Sequence, residues 1–121
     1  MTYPKVSIII LNFKQTKLTL DCLKSLSEIT YPNIEIILVD NNSEDNSSTI
    51  FIEKFPKIIF IQSKINLGYA GGNNLGLTKA SANYILILNN DTKVTPGFIE
   101  PLVSDMLKDP SLGIVQSKIF T

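Results

Sequence analysis

Tyr84-Ile85-Leu86-Ile87-Leu88-Asn89-Asn90-Asp91-Thr92 runs an apolar strand straight into two amides and a carboxylate. A strand buried on both faces reads as a continuous apolar run, and in open α/β sheets ligands bind just past the carboxyl ends of the strands. Asp91 therefore stands where a ligand would be held. The competing reading is a plain turn, since Asn and Asp are common turn formers. The other strand ends decide between the two.

Working outward, Val6-Ser-Ile-Ile-Ile-Leu11 is a β-branched run that ends in Asn12-Phe13. Leu18, Cys22 and Leu26, four apart with Leu23 beside them, predict one apolar face of a helix over residues 14–28, with Thr16 as its N-cap. Ile34–Val39 is a second strand that runs into Asp40-Asn41-Asn42-Ser43. A helix over 47–55, capped by Asp45 or Asn46, leads to a third strand over 57–62. A Gly-rich segment then opens a helix over 70–82, ahead of the strand at 84–88. Thr95-Pro96 reads as the N-cap and first residue of a helix to Lys108, and Gly113–Phe120 as a fifth strand. Strands alternating with helices through short connections predict right-handed crossovers and a mostly parallel sheet. In such a sheet Asn12-Phe13, Asp40, the 63–66 segment and Asn89–Asp91 share one edge. Four polar strand ends along one edge favour a site over four independent turns.

The bulk composition narrows the chemistry. The 121 residues form one domain, 44% hydrophobic and 18% charged, with eleven basic and eleven acidic residues. That balance, without a basic run, argues against a nucleic-acid partner. A single cysteine rules out an internal disulfide, and the absence of histidine rules out imidazole metal sites and Ser-His-Asp triads. The short apolar run near the N-terminus lacks the length of a membrane span, so the expected address is cytoplasmic, peripheral at the inner face of the membrane.

Asn66-Leu-Gly-Tyr-Ala-Gly-Gly-Asn-Asn-Leu-Gly76 holds four of the six glycines. Crowded glycines at a strand-to-helix junction bring backbone close to a ligand or to the sheet, and both readings stay open here. The segment lacks the Gly-Lys-Ser/Thr ending of a P-loop, and no glycine fingerprint follows the first strand, so ATPase and dinucleotide readings fail. A carboxylate flanked by amides suits a hard cation, Mg2+ or Mn2+, completed by waters and substrate phosphates. Asp40 either accepts hydrogen bonds from a nucleobase or ribose or caps its own turn. Phe13 either stacks on a base or belongs to the core. Asp105 and Asp109 read as solvated helix charge.

Together, Val6–Phe13, Val39-Asp-Asn-Asn-Ser43, Asn66-Leu-Gly68 with Asn74-Leu-Gly76, and Leu88-Asn-Asn-Asp-Thr92 resemble the family 2 glycosyltransferases, closest to the rhamnosyltransferase-like subgroup. The resemblance covers the whole chain, residues 1–121, in the expected order. It implies a GT-A fold: a Rossmann-like, mostly parallel sheet with helices on both faces in three α/β/α layers, here truncated after about the fifth strand. It implies a donor site for a UDP-, dTDP- or GDP-sugar formed by Asn12, Phe13, Asp40, Asn42, Asn66, Gly68, Asn73, Asn74, Asn89 and Asn90, with Asp91 on the metal. In the family pattern Asp40 contacts the nucleobase, Phe13 packs on it, and Asp91 is the last residue of an Asp-x-Asp motif whose first position is here Asn89. Asn73 stands where many relatives carry arginine. The family's catalytic base, which deprotonates an acceptor hydroxyl on a saccharide or lipid-linked acceptor, lies beyond the strand where this chain ends, and no residue here matches it. The expectation is the donor-binding half of a longer transferase, the alternative a non-catalytic nucleotide-sugar-binding module on the same fold. A truncated sheet leaves an edge or apolar patch that predicts a dimer.

Overall fold

The computed structural model describes residues 3–108 and the backbone of residues 114–116. Five strands and four helices alternate: β1 (Val6–Asn12), α1 (Thr16–Leu26), β2 (Ile34–Asp40), α2 (Ser47–Lys54), β3 (Ile59–Gln62), α3 (Gly68–Leu77), β4 (Tyr84–Leu88), α4 (Ile99–Lys108) and β5 (Ile114–Gln116). The strands form one sheet in the order β3-β2-β1-β4-β5, and every neighbouring pair is parallel. The α/β expectation holds, including the strand at 84–88 to the residue.

Side chains alternate between the two faces of each strand. On one face Val6, Ile8, Ile10, Leu38, Leu86 and Leu88 pack with Cys22, Leu23 and Leu26 of α1, Phe51 of α2, and Ile99 and Val103 of α4. On the other, Ile9, Ile37 and Val39 pack with Leu75 and Leu77 of α3 and its exit. Helices therefore cover both faces in three layers. Ile8, Ile9 and Ile10 have no exposed surface, so consecutive residues of β1 serve both cores. Each contributes about 1.5–3 kcal/mol by burial.

Helix boundaries and faces depart from the sequence expectations. α1 starts at Thr16 with Gln15 in the N-cap position and no side-chain cap, so Thr16 is not the cap. Its buried residues are Thr19, Cys22, Leu23 and Leu26, whereas Leu18 is 43% exposed. A polar residue thus holds the place that periodicity gave to Leu18. α3 begins at Gly68 and ends at Leu77 rather than spanning 70–82. α4 begins at Ile99, not at Pro96. The Pro96 carbonyl instead accepts hydrogen bonds from Thr30 N at 2.8 Å and Thr30 Oγ1 at 3.1 Å, which ties this turn to the exit of α1.

The last crossover departs from the right-handed expectation. α4 packs on the same face as α1 and α2, yet β5 lies on the opposite side of β1 from β2. The β4–α4–β5 connection therefore has the opposite hand to β1–α1–β2. The handedness rule rests on a strand feeding directly into its helix. Here residues 89–98 intervene and let the chain turn back over the α1 face. Asp105 is exposed, as expected of solvated charge, while Asp109 and most of the 113–120 strand lie outside the described residues.

Candidate functional site

All the parallel strands point their carboxyl ends to one edge, and two polar arrangements form there. The first is a ladder. Asn12, Asp40 and Gln62 are in-register neighbours across β1, β2 and β3, so their side chains emerge on one face, beneath the start of α1. Asp40 Oδ1 accepts from Asn12 Nδ2 at 2.8 Å and Ser43 Oγ at 2.6 Å, and Oδ2 accepts from Ser43 N and Gln62 Nε2, both at 2.9 Å. Asp40 is only 1% exposed. Burial alone would raise its pKa, but the donors of Ser43, Gln62 and Asn12 outweigh that and hold the carboxyl below its ordinary value. The turn-capping reading of Asp40 is thus realised.

The second arrangement is a crevice of about 400 Å³ at the end of β1 and β4. Leu11 and Leu88 supply its apolar wall, and Phe13, Gln15 and Tyr69 contribute from the loop after β1 and the start of α3. Asn73, Asn89, Asn90 and Asp91 complete it. Phe13 is 39% exposed and lines this crevice, so it is not a core residue; Lys14 Nζ sits 5.2 Å from its ring centre. Asp91 is exposed. Asn90 Nδ2 donates to Gln15 Oε1 and Thr19 Oγ1, each at 3.0 Å. The backbone carbonyl of Asn89 accepts from Thr92 N at 3.1 Å.

Asn73 differs from its neighbours. It is 4% exposed, and neither atom of its amide has a hydrogen-bond partner. Leaving a buried polar group open costs about 1–3 kcal/mol, which makes this amide in the crevice wall a candidate to pair with a ligand's polar group. Thr92 Oγ1 is buried and open in the same way.

The remaining expected residues are spread around the edge. Asn42 sits at φ 67° with Nδ2 donating to Glu44 Oε1 at 3.1 Å, and Asn66 Oδ1 accepts from Gly68 N at 2.8 Å. Gly68 has φ 72° with open space around it, so its glycine serves the backbone of the turn into α3. Asn74 is exposed on α3 and, like Asn42, Asn66 and Gly68, does not line the crevice. The other glycines answer the question the sequence left open. A Cβ at Gly72 would lie 2.4 Å from Leu11 Cδ1, and one at Gly76 2.7 Å from Ile9 Cγ2, so these two let α3 sit against the sheet.

Sequence reading missed Gln15, Thr19, Tyr69, Ser43 and Gln62. The register was the available signal for Gln62, which closes its strand as Asp40 closes the neighbouring one. Tyr69 and Gln15 come from helix starts, where strand-end reasoning does not look.

A divalent cation has one carboxylate at the crevice, Asp91, and amide oxygens beside it. Among the described residues no three acidic, thiol or imidazole groups come together, so the site is not an all-protein cage. This donor set fits a hard cation that takes one carboxylate and completes its shell with water and substrate phosphate. A larger apolar groove, about 530 Å³ and lined by Leu26, Ile34, Phe55 and Ile58 among others, lies at the amino ends of the strands, away from these groups.

The model for the family described as "Glycosyl transferase family 2" matches residues 7–120. The chain belongs to glycosyl transferase family 2. Among curated members, a poly-beta-1,6-N-acetyl-D-glucosamine synthase of Staphylococcus epidermidis is 30% identical over 91% of this chain and 27% of its own length. An O-antigen biosynthesis protein, RfbC, of Myxococcus xanthus is 33% identical over 96% of this chain and 9% of its own length. The chain thus spans about a quarter or less of these two relatives. In fold, S. aureus TarS 1-349, solved in complex with UDP, superposes with a TM-score of 0.76 over 86% of this chain and 32% of that one, at 23% identity. The mannosyltransferase PcManGT from Pyrobaculum calidifontis, solved with GDP-Man and Mn2+, gives 0.67 over 75% of this chain and 28% of that one, at 22% identity. The GT-A fold of this family member is therefore established. No helix among its described residues is long and apolar enough to cross a membrane.

Proposed function

We propose that this chain binds the nucleotide-diphosphate-sugar donor of a transferase that builds a polysaccharide or glycoconjugate. The observation that carries the reading is the buried, unpartnered Asn73 amide in the wall of a crevice whose rim holds the exposed Asp91 carboxylate. A nucleoside diphosphate offers groups for both: a polar edge or hydroxyl for the amide, and phosphates that would help complete the shell of a cation held by Asp91. Phe13 gives the base an exposed aromatic face. A base that reaches Asp40 replaces the Gln62 amide, because Gln62 is exposed while Asn12 and Ser43 are buried. When bound, Mg2+ or Mn2+ neutralises charge on the departing diphosphate. In the reaction an acceptor hydroxyl attacks the anomeric carbon, the bond to the diphosphate breaks, and the configuration inverts.

Among the described residues Asp91 is the only carboxylate lining the crevice, so the lining offers no separate base for the acceptor proton. That favours a donor-binding role, with a base supplied from elsewhere, and it is also what a non-catalytic nucleotide-sugar-binding module would have. Calorimetric titration of UDP, dTDP and GDP, with and without Mn2+, tests donor binding on the wild type and Asp91→Ala. One nucleotide should bind more tightly with metal, and Asp91→Ala should lose that gain. No binding of any nucleotide under either condition would overturn the reading. Transfer of labelled sugar to saccharide or lipid-linked acceptors separates the enzyme from the binding module.

A further inference from the structure

Thr19 closes the first turn of α1 with no exposed surface, where the helix would otherwise present an apolar residue to the sheet. A helical threonine commonly turns its hydroxyl back to a carbonyl of the preceding turn. This one reaches across instead. Thr19 Oγ1 donates to Asn12 Oδ1 at 2.6 Å and accepts from Asn90 Nδ2 at 3.0 Å.

The direction of each bond in this chain is forced. An ionised carboxylate only accepts, so Asn12 must turn Nδ2 to Asp40, 2.8 Å away. Its Oδ1 then faces Thr19, which must donate. The Thr19 oxygen is left to accept, so Asn90 must turn Nδ2 toward it. The second N–H of that amide goes to Gln15 Oε1 at 3.0 Å. Both N–H groups of Asn90 are thereby used, and Oδ1 is the only amide atom it can offer at the crevice. The acceptor-only character of Asp40 on β2 thus fixes the polarity of a residue beyond β4, next to Asp91.

We propose that Thr19 is a positioning residue: through its hydroxyl the Asp40–Asn12 pair holds Asn90 as an oxygen donor beside Asp91, so that this corner presents oxygen ligands to a divalent cation or its bound waters. The inference rests on the donor-binding reading above. The side chains of Asn90 and Asp91 offer a phosphate oxygen only acceptors, so the anionic donor would meet these two side chains through the cation. Without Thr19 Oγ1, Asn90 is oriented only by the exposed amide of Gln15, which can itself turn over, so the Asn90 amide can flip and present N–H groups instead.

The test is Thr19→Val, which keeps the shape and removes the hydroxyl, with Thr19→Ser as the variant that retains it. In isotope-labelled protein, Thr19→Val should shift the side-chain amide signals of both Asn12 and Asn90 and speed their solvent exchange, and Thr19→Ser should restore both. Unchanged Asn90 signals in Thr19→Val would overturn the relay, whether or not nucleotide binds. In calorimetry with Mn2+ and the preferred nucleoside diphosphate, Thr19→Val should reduce the metal-dependent gain in affinity about tenfold and leave metal-free affinity within about twofold. Equal losses with and without metal would show a merely structural role and overturn the proposal. A wild type that binds no nucleotide would strike the donor-binding reading and with it the cation assignment of Asn90, while the amide signals would still judge the relay.

Discussion

Asp40 gathers four hydrogen bonds in a place solvent scarcely reaches, and Asp91, past the end of β4 on the other side of β1, stands exposed. Both are aspartates that follow apolar strands, and the sequence does not tell them apart. Register does: Asp40 faces Asn12 and Gln62, whereas Asp91 lies beyond the paired part of β4. Asp40→Ala leaves buried donors of Asn12 and Ser43 open and should lower unfolding free energy by about 2–4 kcal/mol in urea titration. A loss near zero would mean that water replaces the carboxylate and that the ladder contributes little. Cys22 makes a second residue-scale case. Burial first, and the nearby Asp91 charge second, push its thiol up to about 12. It should therefore resist iodoacetamide at pH 8 in the folded protein and react once denaturant is added, because only the thiolate is nucleophilic. Fast labelling of the native state would contradict the packing of α1 on the sheet.

The strands were legible in the sequence because a strand buried on both faces must be a continuous apolar run, and little else in a short chain looks like one. Helix starts were less legible because caps compete with tertiary bonds. Thr95-Pro96 has a helix-start pattern, yet the Pro96 carbonyl is held by Thr30 and the helix begins three residues later. The same competition explains Glu35, a charge inside the apolar β2 run. It accepts from Ser7 Oγ, Ser81 N and Ser81 Oγ and pairs with Lys5 at 3.3 Å, stitching β2 to β1 and to the turn before β4. Burial would raise its pKa, but those bonds, led by Ser7, bring it down to about 2. A lowered folded value means that its stabilisation is full above the ordinary 4.5 and is lost as pH falls through about 2. Glu35→Gln should therefore flatten the fall in stability between these pH values, and an unchanged acid profile would refute the role. α3 makes the packing counterpart. A Cβ at Gly76 meets the stiff, branched Ile9 and Val39, at 2.7 and 3.3 Å, whereas Gly97 has open space. Gly76→Ala should cost about 1–3 kcal/mol in thermal unfolding despite alanine's better helix propensity, with Gly97→Ala near neutral by the same measurement.

At the scale of the molecule, the site is a property of the sheet's whole carboxyl edge, contributed from both faces. The residue before α1 and the loop after β4 form one side through Gln15 and Asn90, with Thr19 buried behind them, and α3 forms the other through Tyr69 and Asn73. The shared edge could be read from the alternation of strands and helices. Which amides turn inward, and which glycines serve packing, could not, since both depend on how closely α1 and α3 approach the strands. A ligand in this crevice touches elements of both layers, so it binds the folded state and not the unfolded chain. At a free concentration one hundred times its dissociation constant it should add about 2.7 kcal/mol, which for a chain of this size raises the thermal midpoint by roughly 10 °C. The metal-dependent part of that rise should vanish in Asp91→Ala. The unliganded midpoint of the variant should stay within about 2 °C of wild type, because an exposed carboxylate with no hydrogen bond among the described residues contributes little to folding. If Asp91→Ala instead lowers the unliganded midpoint and keeps the full metal-dependent rise, Asp91 is a structural residue and the cation must be held elsewhere on the edge.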